Sequence, residues 1–467
     1  VNRVDVYVDG LDEQPILAGV LEASFTGSGR SLASSSFQYD PKYLAHRSSY
    51  PLSPDLPLTS TRIYTAESAS QFGAFADTSP DEWGRKIIDA NHARQLKADP
   101  SLPRRLGPFD HLLGVSDRTR LGALRFRAPG THMPWLSEDS GVANEHELHR
   151  VVEVARRYEA NEATDEDLAY LSDIATSPGG ARPKANVVTA AGTLAIAKLP
   201  HSKDGQIDVE SWEALALTIA GRAGITVPQF QRIPAAPTKA VLVTERFDRE
   251  DDGARIGYIS AATAMSVGEH DGRNLTYVDF AEALSEISDN SVEDLRELYR
   301  RITLTVLINN VDDHWRNHGL LRAANGWRLA PAFDINPSKT HGVINSRPIS
   351  SEDDPRDRDL RNLITAAPVF GLLPSDAEAL IQRVATEVAA WRAVAVEMNI
   401  PDDQVEAMED AFDAEQLEYA LSLGSSTPAA RTQPEDTGGE VWVPPHTRSG
   451  KPVVGHWRRR RGTNPRS

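Results

Sequence analysis

Cysteine is absent from the 467 residues, which excludes disulfides, thiolate nucleophiles and cysteine-ligated zinc together. Any nucleophile must be oxygen or nitrogen. No apolar run is long enough to cross a bilayer, and the opening "VNRVDVYVDG" lacks the charged and apolar regions of a signal peptide. A cytoplasmic location without a membrane partner is therefore expected. Positive charge is also scarce. With 50 Lys plus Arg against 67 Asp plus Glu, the formal charge is −17. That argues against a surface binding nucleic acid as a whole, because neutralising phosphates needs clustered cations.

What is present suits a globular protein, with 40% apolar residues and length for two or three domains. In the first portion, 1–140, "RVDVYVDG" alternates and "SSFQYD" follows a Gly/Ser turn, so both read as strands. "SPDEWGRKIIDANHARQL" predicts a helix capped by Ser79, with Pro80 in its first turn. The linker-like "APGTHMPWLSEDSG" leads to a second unit, 141–255. There Asn186 to Thr189, a turn at Ala191 and Gly192, and Thr193 to Leu199 predict a hairpin behind a glycine-rich loop. Trp212, Leu215, Ala216 and Ile219 lie at helical spacing, and "KAVLVTERFDRE" reads as a strand entering a charged turn.

The third unit, 256–424, is helical. Leu295, Leu298, Tyr299, Ile302 and Val306 make one apolar stripe, which delivers the chain to "NNVDDHWRNHGLL", residues 309–321. Beyond it, Asn325-Gly326 between two apolar runs predicts a two-residue hairpin turn. The tail, 425–467, reads as flexible and is basic, with eight Lys plus Arg against three Asp plus Glu from Gly424 to Ser467. It suits either a disordered solubilising terminus or, through Trp442, His446, Trp457 and its arginines, a linear motif for a partner.

Within 309–321, Asp312 and Asn317 are five apart, and Asp334 follows beyond the hairpin. A protein-kinase catalytic loop has this arrangement: a base aspartate, an asparagine for Mg²⁺, then a second metal aspartate. Phosphoryl transfer needs little covalent help, so its site must hold metal, phosphates and acceptor hydroxyl in line. Mg²⁺ is a hard cation that takes oxygen ligands. Upstream, a glycine-rich loop at 177–184, Lys198 on the next strand, Glu213 early in the next helix and "TERFDR" follow in the order such an enzyme requires. Taken singly, each has a plainer reading: turn aspartates cap backbone amides, and Lys198 or Glu213 could be a solvated charge. His314 and His318, four apart, raise a zinc hydrolase, but the stretch lacks the glutamate after the first histidine.

Together these residues resemble the HipA-type serine/threonine kinases of bacterial toxin–antitoxin systems, over roughly residues 1–420. "SPGGARPKA" resembles that family's phosphate loop, "AIAKLP" its lysine strand, "VTERFDR" its hinge, "DDHWRN" its catalytic loop and "PAFDINP" its metal aspartate. "FQYDPKYL", "PLSPDLPL" and "FADTSPDEWGRK" are similar to its extra N-terminal domain. The resemblance implies an α+β, two-lobed protein-kinase-like (HipA-like) fold, with an extra N-terminal mixed β/α domain and a mostly helical C-lobe.

It also implies site roles. Asp312 would be the catalytic base, although Asp313 stands where many members carry glycine and remains a weaker candidate. Asn317 and Asp334 would bind Mg²⁺, and His314 would lie near the γ-phosphate of ATP. Gly179, Gly180, Ala181, Lys198, Glu213, Glu245 and Phe247 would bind ATP, with the 245–247 backbone on adenine. Ser177 occupies the position of an autophosphorylated regulatory serine, where added charge would expel the phosphate loop. The implied partners are a protein substrate, for which the family expectation is a translation-related one, and a HipB-like helix-turn-helix antitoxin through which DNA is reached indirectly. Two rivals stay open: a catalytically silent HipA-like co-repressor, and a phosphotransferase for small molecules.

Overall fold

The computed structural model describes residues 2–26, 31–67, 69–130, 134–138, 141–176, 180–236, 238–268, 271–339, 346–355 and 357–423, with strand segments at 440–443, 446–448, 451–453 and 456–459. Mixed sheets and helices make an α+β fold. The first sheet is built from β1 (Arg3–Val8), β2 (Ile16–Thr26), β3 (Ser31–Tyr39), β4 (Ile63–Tyr64) and β5 (Leu124–Arg127), in the antiparallel order β4-β3-β2-β1-β5. Val4, Val6 and Val8 alternate onto its buried face, as β-branched residues do on a half-covered sheet. Phe37, Phe75 and Phe126 fill the space beneath it.

The helix predicted from "SPDEW" runs from Glu82 to Ala98, and its cap is Asp81 rather than Ser79. Asp81 accepts from the Gly84 amide at 2.5 Å, while the Ser79 hydroxyl is drawn back to the Phe75 carbonyl at the end of the preceding helical turn. Trp83 and Ile87 of this helix enter the core of the second sheet, so the N-terminal portion buttresses the next unit.

That second sheet contains β6 (Ala143–Asn144), β7 (Lys184–Val188), β8 (Leu194–Lys198), β9 (Phe230–Ala236) and β10 (Lys239–Glu245), in the order β6-β7-β8-β10-β9. The β7–β8 hairpin turns at Gly192, whose φ of 87° suits glycine. Helix Val209–Arg222 is buried on nearly every side between this sheet and the helical remainder. The long helix Ser291–Leu307 carries the predicted stripe into the largest core.

A third sheet, β11 (Tyr258–Ser260), β12 (Gly319–Arg322) and β13 (Trp327–Leu329), begins where the asparagine-rich stretch ends. The hairpin turn falls one residue earlier than Asn325-Gly326, because Ala323 donates to the Gly326 carbonyl at 2.9 Å and encloses Ala324 and Asn325. Gly326 serves a different need: a Cβ there would meet the Ile287 carbonyl oxygen at 2.5 Å. In the tail, Glu440–Val443 pairs with His456–Arg459, and His446–Arg448 with Lys451–Val453.

A buried charge cluster ties the first sheet's neighbourhood to the segment after β10. Asp248 accepts from the Arg246 and Arg249 guanidiniums and from the Gly122 amide at 2.7 Å. Burial alone would raise its pKa, but the two arginines outweigh that and hold it far below the usual carboxylate range.

Candidate active site

Asn309, just past helix Ser291–Leu307, adopts a left-handed φ of 47° and turns the chain out of the helix. An irregular segment follows, then a single 3-10 turn, Trp315–Asn317, pinned by Trp315 against Tyr277 and Phe280. The loop sorts its side chains. Asp312, His314 and Asn317 line a cavity of about 430 Å³, whereas Asp313 and His318 turn into the core, with His318 Nε2 3.0 Å from Asp313 Oδ1. The two aspartates are thereby distinguished, 312 exposed and 313 buried. The two histidines also diverge and do not share the face that a zinc pair requires.

Asn317 Nδ2 donates to the Asp312 carbonyl at 3.0 Å, which turns the amide oxygen away from that bond. His314 Nδ1 is buried and has no hydrogen-bond partner among the described residues. Asp334 reaches the same cavity from beyond β13. Its φ of 57° is left-handed, a conformation costing a non-glycine residue about 1–2 kcal/mol. Backbone strain of this kind persists where the surroundings over-determine it and gathers at functional sites.

Opposite this loop lies Lys198, the last residue of β8. Its ammonium donates to Glu213 Oε1 and Oε2 at 2.6 and 2.8 Å and to Asp334 Oδ1 at 2.7 Å. Burial disfavours the charged lysine, but the two carboxylates outweigh it and raise its pKa above the ordinary value. Asp334 responds in the other direction. Despite burial, Lys198 in contact, with Lys184 and His314 nearby, holds it well below the usual carboxylate range. Glu213 is raised, because burial outweighs its pairing with Lys198.

A second buried lysine escaped the sequence reading. Lys184 opens β7 and is the cross-strand partner of Lys198, a placement that like charges normally avoid. Its ammonium donates to Asp81 Oδ2 at 2.8 Å and to the Gly180 carbonyl at 3.1 Å, and burial lowers its pKa. Two ammonium groups side by side, each with its own carboxylate, suit a polyanionic ligand. The only sequence signal was a lysine following the glycine-rich loop. Asp81, 103 positions away, gave none.

Of the loop residues, Gly180 and Ala181 line the cavity, while Ser177 and Gly179 lie outside the described residues. Arg182 fastens the loop by bonds of 2.6 and 2.7 Å to Asp204 and 2.6 Å to Glu210. Glu245 and Phe247 form the far wall, the Phe247 ring 5.5 Å from Phe333. The Glu245 and Arg246 amides already donate to the Gln229 and Leu194 carbonyls.

Oxygen donors on one side and paired ammonium groups on the other can hold a metal-bound polyphosphate. Asp334 and Asn317 supply the hard oxygens that Mg²⁺ prefers, and the unpartnered His314 Nδ1 is a buried polar atom that such a ligand would satisfy.

Residues 176–392 match the family described as HipA-like C-terminal domain, and residues 17–126 the family described as HipA N-terminal domain. No curated protein sequence is significantly similar to the chain. Among solved structures, HipA of Shewanella oneidensis MR-1, from the toxin–antitoxin complex of HipA, HipB and operator DNA, superposes with a TM-score of 0.60 at 16% identity. That alignment covers 90% of this chain and 96% of the other, a likeness of fold. The Helicobacter pylori proinflammatory kinase CtkA gives 0.36 at 13% identity over 51% of this chain and 93% of its own, a score too low to argue from. Among the described residues no helix is long and apolar enough to cross a membrane.

Proposed function

The chain belongs to the HipA family, and from that premise we propose that it is a HipA-like toxin kinase transferring the γ-phosphate of ATP to a serine or threonine hydroxyl of a protein. One observation carries the reading: the Lys198 ammonium is clamped between Glu213 and Asp334 in the cavity that Asp312 and Asn317 also line. An inactive relative has no need of a strained Asp334 or of two buried lysines.

In this reading Lys198 and Lys184 offset phosphate charge, and Glu213 fixes the position of Lys198. Gly180 and Ala181 lie along the phosphates. Asp334 and Asn317 would hold Mg²⁺, which when bound would screen phosphate charge. Asp312 takes the proton of the acceptor hydroxyl as its oxygen bonds to the γ-phosphorus, and the bond from that phosphorus to the β–γ bridging oxygen breaks, releasing ADP. His314 stands where charge develops on the transferred group. Phe247 and Phe333 offer an apolar wall to adenine, whose edge would meet the hinge through carbonyl groups and the Phe247 amide. The structural likeness to a HipA bound to HipB and operator DNA supports a DNA-binding antitoxin of the HipB type as partner, with DNA reached through it. Ser177 as a site of autophosphorylation belongs to the same proposal.

Incubating the chain with γ-labelled ATP and Mg²⁺ tests it. Label on the protein or on an added protein, absent for Asp312→Asn, is expected. Label appearing only on small metabolites, or equal labelling by the variant, would overturn it.

A further inference from the structure

The first turn of helix Glu82–Ala98 belongs to the N-terminal portion, yet it lies against the phosphate side of the candidate active site. Asp81, the cap of that helix, lines the same cavity as Gly180, Lys184, Lys198 and Asp334. Three contacts join this turn to the glycine-rich loop and the strand that follows it. Lys184 Nζ donates to Asp81 Oδ2 at 2.8 Å, Trp83 Nε1 donates to the Lys184 carbonyl at 3.0 Å, and the Trp83 amide stands 3.5 Å from the Gly180 carbonyl. Trp83 is itself seated edge-on against Tyr158, with ring centroids 5.4 Å apart, in the core of the second sheet.

The two oxygens of Asp81 have separate tasks. Oδ1 accepts from the Gly84 amide and caps the helix, which fixes the carboxylate and leaves Oδ2 aimed at the ammonium. Lys184 needs that anion. The side chains of both residues are buried, and Lys184 faces Lys198 across the ladder. Among the described residues only Asp81 Oδ2 and the Gly180 carbonyl accept from its ammonium, so one of the three donors remains for a ligand in the cavity. Burial pushes Asp81 up and Lys184 down, and each therefore depends on the other to stay charged. With the carboxylate gone, burial and the Lys198 ammonium would both act against protonation of Lys184. The other carboxylate acting on it, Asp334, is already bonded to Lys198.

We propose that Asp81 is a positioning residue for the nucleotide: it holds Lys184 toward the phosphates as Glu213 holds Lys198, so that the N-terminal portion completes the phosphate site. The assignment rests on the phosphotransfer reading above and adds to it a residue from outside the two lobes.

The test is a double-mutant cycle on the full chain, with Asp81→Asn, Lys184→Met and both together. Each protein is titrated with MgATP and with adenosine in competition against a fluorescent ATP analogue, well below its own melting temperature. Asparagine keeps an oxygen for the helix cap, where it serves as well as aspartate. Asp81→Asn should lower MgATP affinity about tenfold, the loss of one hydrogen-bonded charge, and leave adenosine affinity unchanged. Lys184→Met should lower it at least as far. Adding Asp81→Asn to Lys184→Met should then change nothing, because a residue that acts through another has no effect once the other is gone. MgATP affinity unchanged or raised by Asp81→Asn, an equal fall for adenosine, or losses that add in the double variant would overturn the assignment. If Asp81→Asn does not fold, the double variant, which buries no unpaired charge, still decides by comparison with Lys184→Met: equal MgATP affinities support the assignment and unequal ones refute it. A wild type that binds no MgATP overturns the phosphotransfer reading itself, and the assignment with it, so the two failures are told apart.

Discussion

Replacing Glu213 by glutamine separates stability from function at the centre of the site. The wild-type carboxylate accepts two bonds from Lys198, at 2.6 and 2.8 Å, and the lysine keeps a third to Asp334 at 2.7 Å. Each hydrogen bond to a charged group contributes about 1.5–3 kcal/mol. The loss is offset because Glu213 no longer has to be buried as an anion, the cost that raises its pKa in the native protein. The net change should stay near 1–2 kcal/mol, small beside a typical stability of about 5–15 kcal/mol, and shift the melting temperature by a few degrees. Function should respond far more. The amide presents one oxygen and one NH₂ group to the ammonium, so Lys198 moves toward Asp334 and away from the phosphates. A displacement of about 1 Å at a reacting centre costs roughly 100-fold. The assay is kcat/KM for phosphorylation beside thermal unfolding of the same preparation. Activity within about threefold of wild type would refute the reasoning, taking about 1.4 kcal/mol as tenfold. So would a loss that unfolding at the assay temperature explains.

Lys198→Ala should be much harsher on stability, by about 3–5 kcal/mol, since it leaves the Glu213 and Asp334 carboxylates facing one another without their shared cation; urea unfolding checks this. Glu210, raised to about 7 by burial against the pull of Arg182, should make stability fall as pH rises. Its folded pKa exceeds its unfolded value, so its favourable contribution is complete below about pH 4.5 and lost as pH passes 7, a difference on the order of 3 kcal/mol. Glu210→Gln should flatten that part of the urea-midpoint profile, and an unchanged slope would count against the assignment. Asp248→Asn leaves Arg246 and Arg249 buried without their anion and should cost about 3–5 kcal/mol, with earlier proteolysis around Gly122 and the segment after β10. Cleavage at the wild-type rate would contradict that cluster's role as a clasp.

Much of the architecture is legible in the residues. The stripe Leu295 to Val306 becomes a buried helix face and the β7–β8 hairpin turns at Gly192, while the α+β class is reached through the resemblance that the motifs carry. Local pattern is a sufficient guide when the stabilising contacts are a turn or a ladder rung away. The residues that line the candidate site were visible by order, because Lys198, Glu213, Asp312, Asn317 and Asp334 sit on elements whose sequence is characteristic. The Asp81–Lys184 pair was not visible, since its partners come from a helix cap and a strand with no local signal joining them. Ser79 resembled a cap until the preceding helical turn supplied a competing carbonyl. Gly326 resembled a turn glycine, yet its requirement comes from the Ile287 carbonyl packed against it, a tertiary contact that no dipeptide rule contains.

For phosphotransfer, three oxygen-bearing side chains and two ammonium groups must act together on one metal-bound nucleotide. Calorimetric titration of ATP into the wild type and Asp334→Asn, with and without Mg²⁺, tests that most directly. ATP should bind the wild type in a strongly Mg²⁺-dependent manner, and the variant should lose most of that dependence. Binding that ignores Mg²⁺ in the wild type, or no binding at all, would contradict the central claim.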